Sequence, residues 1–354
     1  MNKIFENIDN IRDLINHPWK QNILIQDKII WNKLCSSLDA IEDAQHSINF
    51  YDDLKDFNAH EGGYLYIYGL LQSIYVQQDA IKSLKFSLFN IEINFKIDYP
   101  DLYYIREIRN KTIGHPTSRH KDKSFHFIIQ NSIGKHSIEL WNYYSNNTDD
   151  HEFINISECI NIQSDNISKI LEEIISNLEQ EFKRHKNKFN SNCLFDIFPE
   201  NLSFYLEKLF EGDKDPRYKI HLNVLFEIYE KIKIGIKARY EGSIAQDRMS
   251  NLDYIFKRLN NPLLSSLDDE FHENYNLVIA LENQLLDFKE IIIEIDIEFG
   301  AKSERLVKEL EKRKTRMSAV DKDVNIKIIL PEKEYNSDAF LSSNEPNKEP
   351  ETDL

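Results

Sequence analysis

Ile167, Ile170, Leu171, Ile174, Ile175, Leu178 and Phe182 recur at steps of one, three and four residues. A helix of 3.6 residues per turn gathers such a set on one face, whereas a strand would scatter it over both. The same rhythm appears three times upstream. Ile30, Leu34, Leu38, Ile41 and Ile48 predict a helix over about 27–54, and Leu70, Leu71, Ile74, Ile81, Leu84 and Leu88 predict another over 64–89. A third opens at Pro100-Asp101, a proline at the first helical position with an acid in the first turn, and runs through Leu102, Ile105 and Ile108. It is cut at Gly114-His115-Pro116. Between the third and fourth helices, Phe125–Gln130 and Ser137–Tyr144 alternate around Gly134-Lys135, which predicts a β-hairpin, with a further short strand at Phe153–Ile156.

The expected fold is therefore mainly α, a helical bundle over residues 27–190 with an inserted hairpin near 125–144, preceded by an N-terminal extension over 1–26. Residues 191–317 predict a second helical region, punctuated at Pro199, Gly212–Pro216, Gly242 and Pro262. Within it Ile293–Phe299 alternates strictly and fits a strand as well as a helix; Glu294, Asp296 and Glu298 are expected on a solvated face. Lys302–Arg316 carries seven basic residues against three acidic ones, read as an exposed helix end. Residues 318–354 form a polar acidic tail, expected to be disordered from about 336.

Several function classes are excluded by composition. Only nine glycines occur in 354 residues, and neither GxxxxGK[ST] nor GxGxxG is present, so no glycine-rich phosphate cradle can be read. GxSxG and HExxH are absent too. Cys35, Cys159 and Cys193 are far apart, which argues against a disulfide framework or a zinc knuckle and for a reduced, cytoplasmic setting. No apolar run is long enough for a membrane span, and no secretory signal is read. The net charge is −16, which disfavours binding nucleic acid over the whole surface, because phosphate contacts need Lys and Arg.

One stretch departs from that balance. Residues 102–123 hold Arg106, Arg109, Lys111, Arg119, Lys121 and Lys123 against Glu107 and Asp122, a local charge of +4, together with His115 and His120. On a straight helix, the six residues from Arg109 to His115 would place the two side chains about 120° and about 9 Å apart. Gly114 can take the left-handed conformation that ends a helix, and Pro116 disfavours helix at His115, so the helix is expected to stop near Ile113 and let the imidazole fold back. Arg109, Asn110 and His115 then suit metal-free phosphoryl transfer on RNA. His115 would move a proton to or from a ribose 2′-oxygen or a leaving 5′-oxygen, Arg109 would hold the phosphate, and Asn110 would position either group. Arg106, Lys111, Arg119 and His120 are candidates for substrate binding. Neither a cofactor nor a metal is called for: His115, His120, His126 and His136 are irregularly spaced, with no cysteine or paired acid beside them.

Arg109-Asn110-x4-His115 resembles the Arg-x4-6-His signature of the HEPN superfamily, and the resemblance covers roughly residues 27–190. It implies an up-and-down helical bundle with the motif late in the third helix, and a homodimer whose two motifs share one cleft. It also implies metal-independent endoribonuclease activity on tRNA or mRNA, in a toxin or anti-phage setting with an antitoxin or sensor partner. Two alternatives stay open on the residues alone. One is a non-catalytic HEPN-like module that binds RNA or protein; the other is a plain helix stop in which Arg106 and Arg109 pair with Glu107 on a solvated face.

Overall fold

The computed structural model describes residues 3–114, 116–117, 123–146, 148–211, 217–242, 246–260 and 270–320. Two compact units divide the chain, Met1–Ser303 and Glu304–Leu354. In the first, the described residues form eleven α-helices and one three-stranded antiparallel sheet; in the second they form one helix. The tail from residue 321 lies outside the described residues.

Residues 3–24 are more than an extension. Helix α1 (Lys3–Asn16) buries Ile4, Ile8, Ile11 and Ile15 at four-, three- and four-residue steps. Helix α2 (Pro18–Leu24) starts on its proline, with His17 Nδ1 accepting from Trp19 N at 3.3 Å. Helix α3 (Lys28–Asp52) is capped by Asp27, whose carboxylate accepts from Ile29 N at 2.9 Å and Ile30 N at 3.1 Å. Helix α4 (Gly63–Phe89) is central and packs on α3; it ends at Asn90, in the left-handed region at φ 58°. After the single turn α5 (Phe95–Asp98) comes α6 (Pro100–Arg109), with Pro100 at its start as the sequence predicts.

The sheet follows, with β1 (Ser124–Ile128), β2 (Ser137–Tyr144) and β3 (Asp149–Asn155) in that order. The alternation of its residues determines its two faces. Ile128, Ile138, Leu140 and Ile154 turn inwards onto Ile67, Leu70, Leu71, Ile105 and Ile108. Helix α7 (Ile156–Asn187) then begins eleven residues before the first of its regular apolar series and closes a second cluster with α1, α3 and α4. Each of these buried aliphatic side chains contributes about 1.5–3 kcal/mol of transfer free energy.

A file of amides threads this core. Arg106 Nη1 donates to Gln78 Oε1 at 3.3 Å, Gln78 Nε2 to Gln163 Oε1 at 2.8 Å, and Gln163 Nε2 to Gln77 Oε1 at 2.8 Å. Gln77 Nε2 then donates to Gln45 Oε1 at 2.9 Å, and Gln45 Nε2 to Asn49 Oδ1 at 2.8 Å. The four glutamines are buried, and each has both a donor and an acceptor role, so the cost of desolvating them is met along the file.

Helices α8 (Leu202–Phe210), α9 (Tyr218–Tyr240), α10 (Gln246–Leu259) and α11 (Glu270–Glu298) complete the first unit. Ile293–Glu298 is helical, which decides between the two readings left open, and one expectation is corrected: only one of its three acids is exposed. Asp296 is fully buried, accepting from Leu194 N at 3.0 Å, Phe195 N at 2.7 Å, Cys193 Sγ at 3.2 Å and Arg239 Nη2 at 3.2 Å. Glu298 accepts from His17 Nε2 at 2.6 Å and Tyr240 Oη at 2.5 Å, which ties α2 to α9 and α11. Burial pushes the Glu298 carboxyl up, but those two hydrogen bonds, together with nearby positive charge including Lys186, hold the group below the usual carboxylate value.

In the second unit, α12 (Glu304–Val320) carries most of the basic run at residues 302–316. Among the described residues, no helix is long and apolar enough to cross a membrane.

Candidate active site

Helix α6 does not stop at Ile113 in the expected way. It widens into a π turn over Asn110–Gly114, and Gly114 does not take the left-handed conformation. The buried Thr112 lies within this turn. Its hydroxyl donates back to Ile108 O at 2.9 Å and Arg109 O at 3.2 Å, so the buried oxygen is satisfied within its own helix. Such turns admit one extra residue into a helix, and they recur at functional sites.

The π turn brings Arg109 back along its own chain. A Cβ placed on Gly114 would stand 2.9 Å from Arg109 Nη1 and 3.4 Å from Asn110 Oδ1. The guanidinium therefore lies against the residue that directly precedes His115. Asn110 links the pieces: its Oδ1 accepts from Arg109 Nη1 at 3.3 Å, and its Nδ2 donates to Glu107 Oε1 at 3.2 Å. His115 itself lies outside the described residues, as do Arg119 and His120.

Helix α4 supplies the other half of the site. Gln72 Oε1 accepts from Arg109 Nε at 3.2 Å and Nη2 at 2.9 Å. The ring of Tyr75 faces both arginines, with guanidinium carbons 4.3 Å (Arg109) and 4.0 Å (Arg106) from its centroid. Arg106 is further held by Asp79 Oδ1 at 2.8 Å. Gln72, Tyr75 and Asp79 also line a groove of about 310 Å³ with Ser36, Ser37 and Ala40 of α3. Sequence reasoning missed these three residues. The available signal was their three- and four-residue spacing, which puts all three on one face of the helix.

The cations differ in what holds them. Lys111 Nζ pairs with Glu152 Oε2 at 2.6 Å, and Arg106 pairs with Asp79. Burial pushes the Glu152 carboxyl up, but the hydrogen bond and charge of Lys111, with help from Asn142 and Tyr104, hold it below its usual range. Burial and the charge of Glu152 push the Tyr104 hydroxyl up to about 12. Arg109, by contrast, is held among the described residues by two neutral amides and a neutral ring. Its charge is fixed in direction, and none of these described partners is a carboxylate.

His126 is a core residue of the sheet, 3% exposed, with Nδ1 2.7 Å from Asn142 Oδ1 and Nε2 3.0 Å from Ser124 Oγ. It still touches the motif segment through the backbone, where His126 N donates to Pro116 O at 2.8 Å. Among the described residues, no three His, Cys, Asp or Glu side chains converge to hold a metal ion. No family model, curated protein or solved structure matches the chain.

Proposed function

We propose that this protein is a metal-independent endoribonuclease of the HEPN type that acts on tRNA or mRNA as a toxin or anti-phage effector. The observation that carries this reading is the environment of Arg109. A guanidinium oriented by Gln72, Asn110 and Tyr75, with no carboxylate among those partners, and packed against the residue before His115, is ready for an anion that none of its partners among the described residues supplies. Phosphate, like carboxylate, fits a planar, bidentate donor of this kind.

In the proposed reaction, His115 takes the proton from a ribose 2′-OH, and the 2′-oxygen attacks the adjacent phosphorus. A pentacoordinate phosphorane forms with an added negative charge, and Arg109 donates to its equatorial oxygens. The P–O5′ bond breaks, and the leaving oxygen takes up a proton from an imidazolium. The products are a 2′,3′-cyclic phosphate and a 5′-hydroxyl. A homodimer with facing motifs would provide a second histidine for the second proton transfer. An antitoxin or sensor partner would hold the activity in check.

The test is incubation of the purified chain with mixed tRNA and mRNA in EDTA, beside His115→Ala and Arg109→Ala. The wild type is expected to cut and both variants to leave the RNA whole. Intact RNA with the wild type, or equal cutting by the variants, would overturn the enzyme reading in favour of a binding module.

A further inference from the structure

The sheet has an outer face that nothing above employs. Direct pairing places Phe127 opposite Trp141, Trp141 opposite His151, and Glu139 opposite Phe153, so these residues share one side. The other side is the buried one, with Ser124, His126, Ile138, Leu140 and Asn142. On the outer side Phe127 is 46%, Trp141 37% and Phe153 66% exposed. Large aromatic rings clustered in the open on one rigid surface are characteristic of recognition faces rather than of ordinary protein surface.

The charge around the rings selects the occupant. Residues 124–155 contain Glu139, Asp149, Asp150 and Glu152 against Lys135 alone. Lys135 is committed to the carbonyls of Asp52 and Leu54, and Glu152 to Lys111. Glu139 and Asp149 stand on the same side as the rings, and Asp149 Oδ2 also accepts from Trp141 Nε1 at 2.9 Å. A nucleic-acid strand stacked on these rings would bring its phosphates to carboxylates. A second copy of the chain, joined by a two-fold axis through the face, would set the same carboxylates against each other. A chain rich in arginine meets both features at once, because guanidinium lies flat on aromatic rings and pairs with carboxylates.

We infer that the outer face of the β1–β2–β3 sheet binds a basic, arginine-bearing polypeptide segment. Its arginines stack on Phe127, Trp141 and Phe153 and pair with Glu139 and Asp149. The motif segment meets the same sheet elsewhere, with Pro116 O accepting from His126 N along the free edge of β1 and Lys111 pairing with Glu152 on the inner side. The inference stands whether or not the chain cuts RNA.

Fluorescence anisotropy of short labelled all-arginine, all-lysine and single-stranded RNA probes, titrated with the full chain, tests it. Three double variants are compared at equal salt: Trp141→Ser with Phe153→Ser, Glu139→Gln with Asp149→Asn, and the remote control Asp13→Asn with Asp43→Asn. The arginine probe should bind more tightly than the lysine probe. It should weaken about tenfold in each of the first two variants and less than about twofold in the control, which loses the same charge. The glutamine and asparagine changes keep side-chain shape, so they report even if the serine variant unfolds. The inference fails if the wild type does not hold the arginine probe, or if both sheet-face variants behave like the control. It fails equally if those variants lose RNA binding or a dimeric mass in place of peptide binding.

Discussion

Gln72 Oε1 takes two hydrogen bonds from Arg109, from Nε at 3.2 Å and from Nη2 at 2.9 Å. One neutral oxygen thus sets the plane of the guanidinium without neutralising it. Hydrogen bonds from a charged donor are worth about 1.5–3 kcal/mol, so Gln72→Met is expected to lower RNA cleavage by roughly 10- to 100-fold. Gln72→Glu supplies the missing negative charge. It is expected to lower cleavage further while the melting temperature stays level or rises, a split that kinetics and calorimetry on the two variants will show.

Gly114→Ala separates site from fold in another way. The new methyl would meet Arg109 Nη1 at 2.9 Å, and that atom is the tip of a flexible side chain, so the guanidinium moves and the backbone stays. Alanine is favoured over glycine in a helical turn by up to about 1 kcal/mol. The expected outcome is unchanged or slightly raised thermal stability, with cleavage reduced at least about tenfold by the displaced cation.

Asp296 is the polar keystone of the C-terminal helices. Asp296→Asn removes the charge that balances Arg239, and both side chains are fully buried. Breaking such a pair from one side costs about 3–5 kcal/mol. The exposed Glu294 lies two residues away, and Glu294→Gln should change stability by no more than about 0.5 kcal/mol. Urea denaturation of the two variants makes the comparison.

His185 gives the pH dependence a direction. Its ring is buried against Trp19, with stacked centroids 4.0 Å apart, and Nε2 donates to Arg239 O at 2.5 Å. Burial lowers its pKa from the usual 6.5, and the bond to Arg239 O only partly opposes this. The unfolded chain therefore takes up the proton first. The stability from the neutral ring is complete above about pH 6.5 and falls as the pH drops below that value. His185→Gln keeps a donor for the carbonyl and cannot titrate, so its melting temperature should fall less than that of the wild type between about pH 6.5 and pH 5.

Much of this architecture is readable from local pattern. The stripe from Ile167 to Phe182 and the series in α3 and α4 mark buried helix faces because burial on a helix repeats every three or four residues, and the same spacing in α1 went unread. The hairpin is visible because residues such as Ile138, Leu140 and Asn142 alternate inwards. What could not be read depends on distant partners. Alternating acids on α11 look solvated until Arg239, 57 residues away, and two backbone amides near residue 194 are placed on Asp296. Gln72 resembles any amide on a helix until Arg109 folds across it, 37 residues on. The π turn over Asn110–Gly114 is a change of one residue in the helical hydrogen-bond register, which apolar spacing does not encode.

Arg109 and His115 are proposed to carry out transesterification at an RNA phosphate. The most direct measurement is the chemistry of the ends left by the wild-type protein in EDTA. Fragments with 2′,3′-cyclic phosphate and 5′-hydroxyl termini, absent with His115→Ala and with Arg109→Ala, are the predicted result. Fragments with 3′-hydroxyl and 5′-phosphate termini, or the same fragments from His115→Ala, would contradict it.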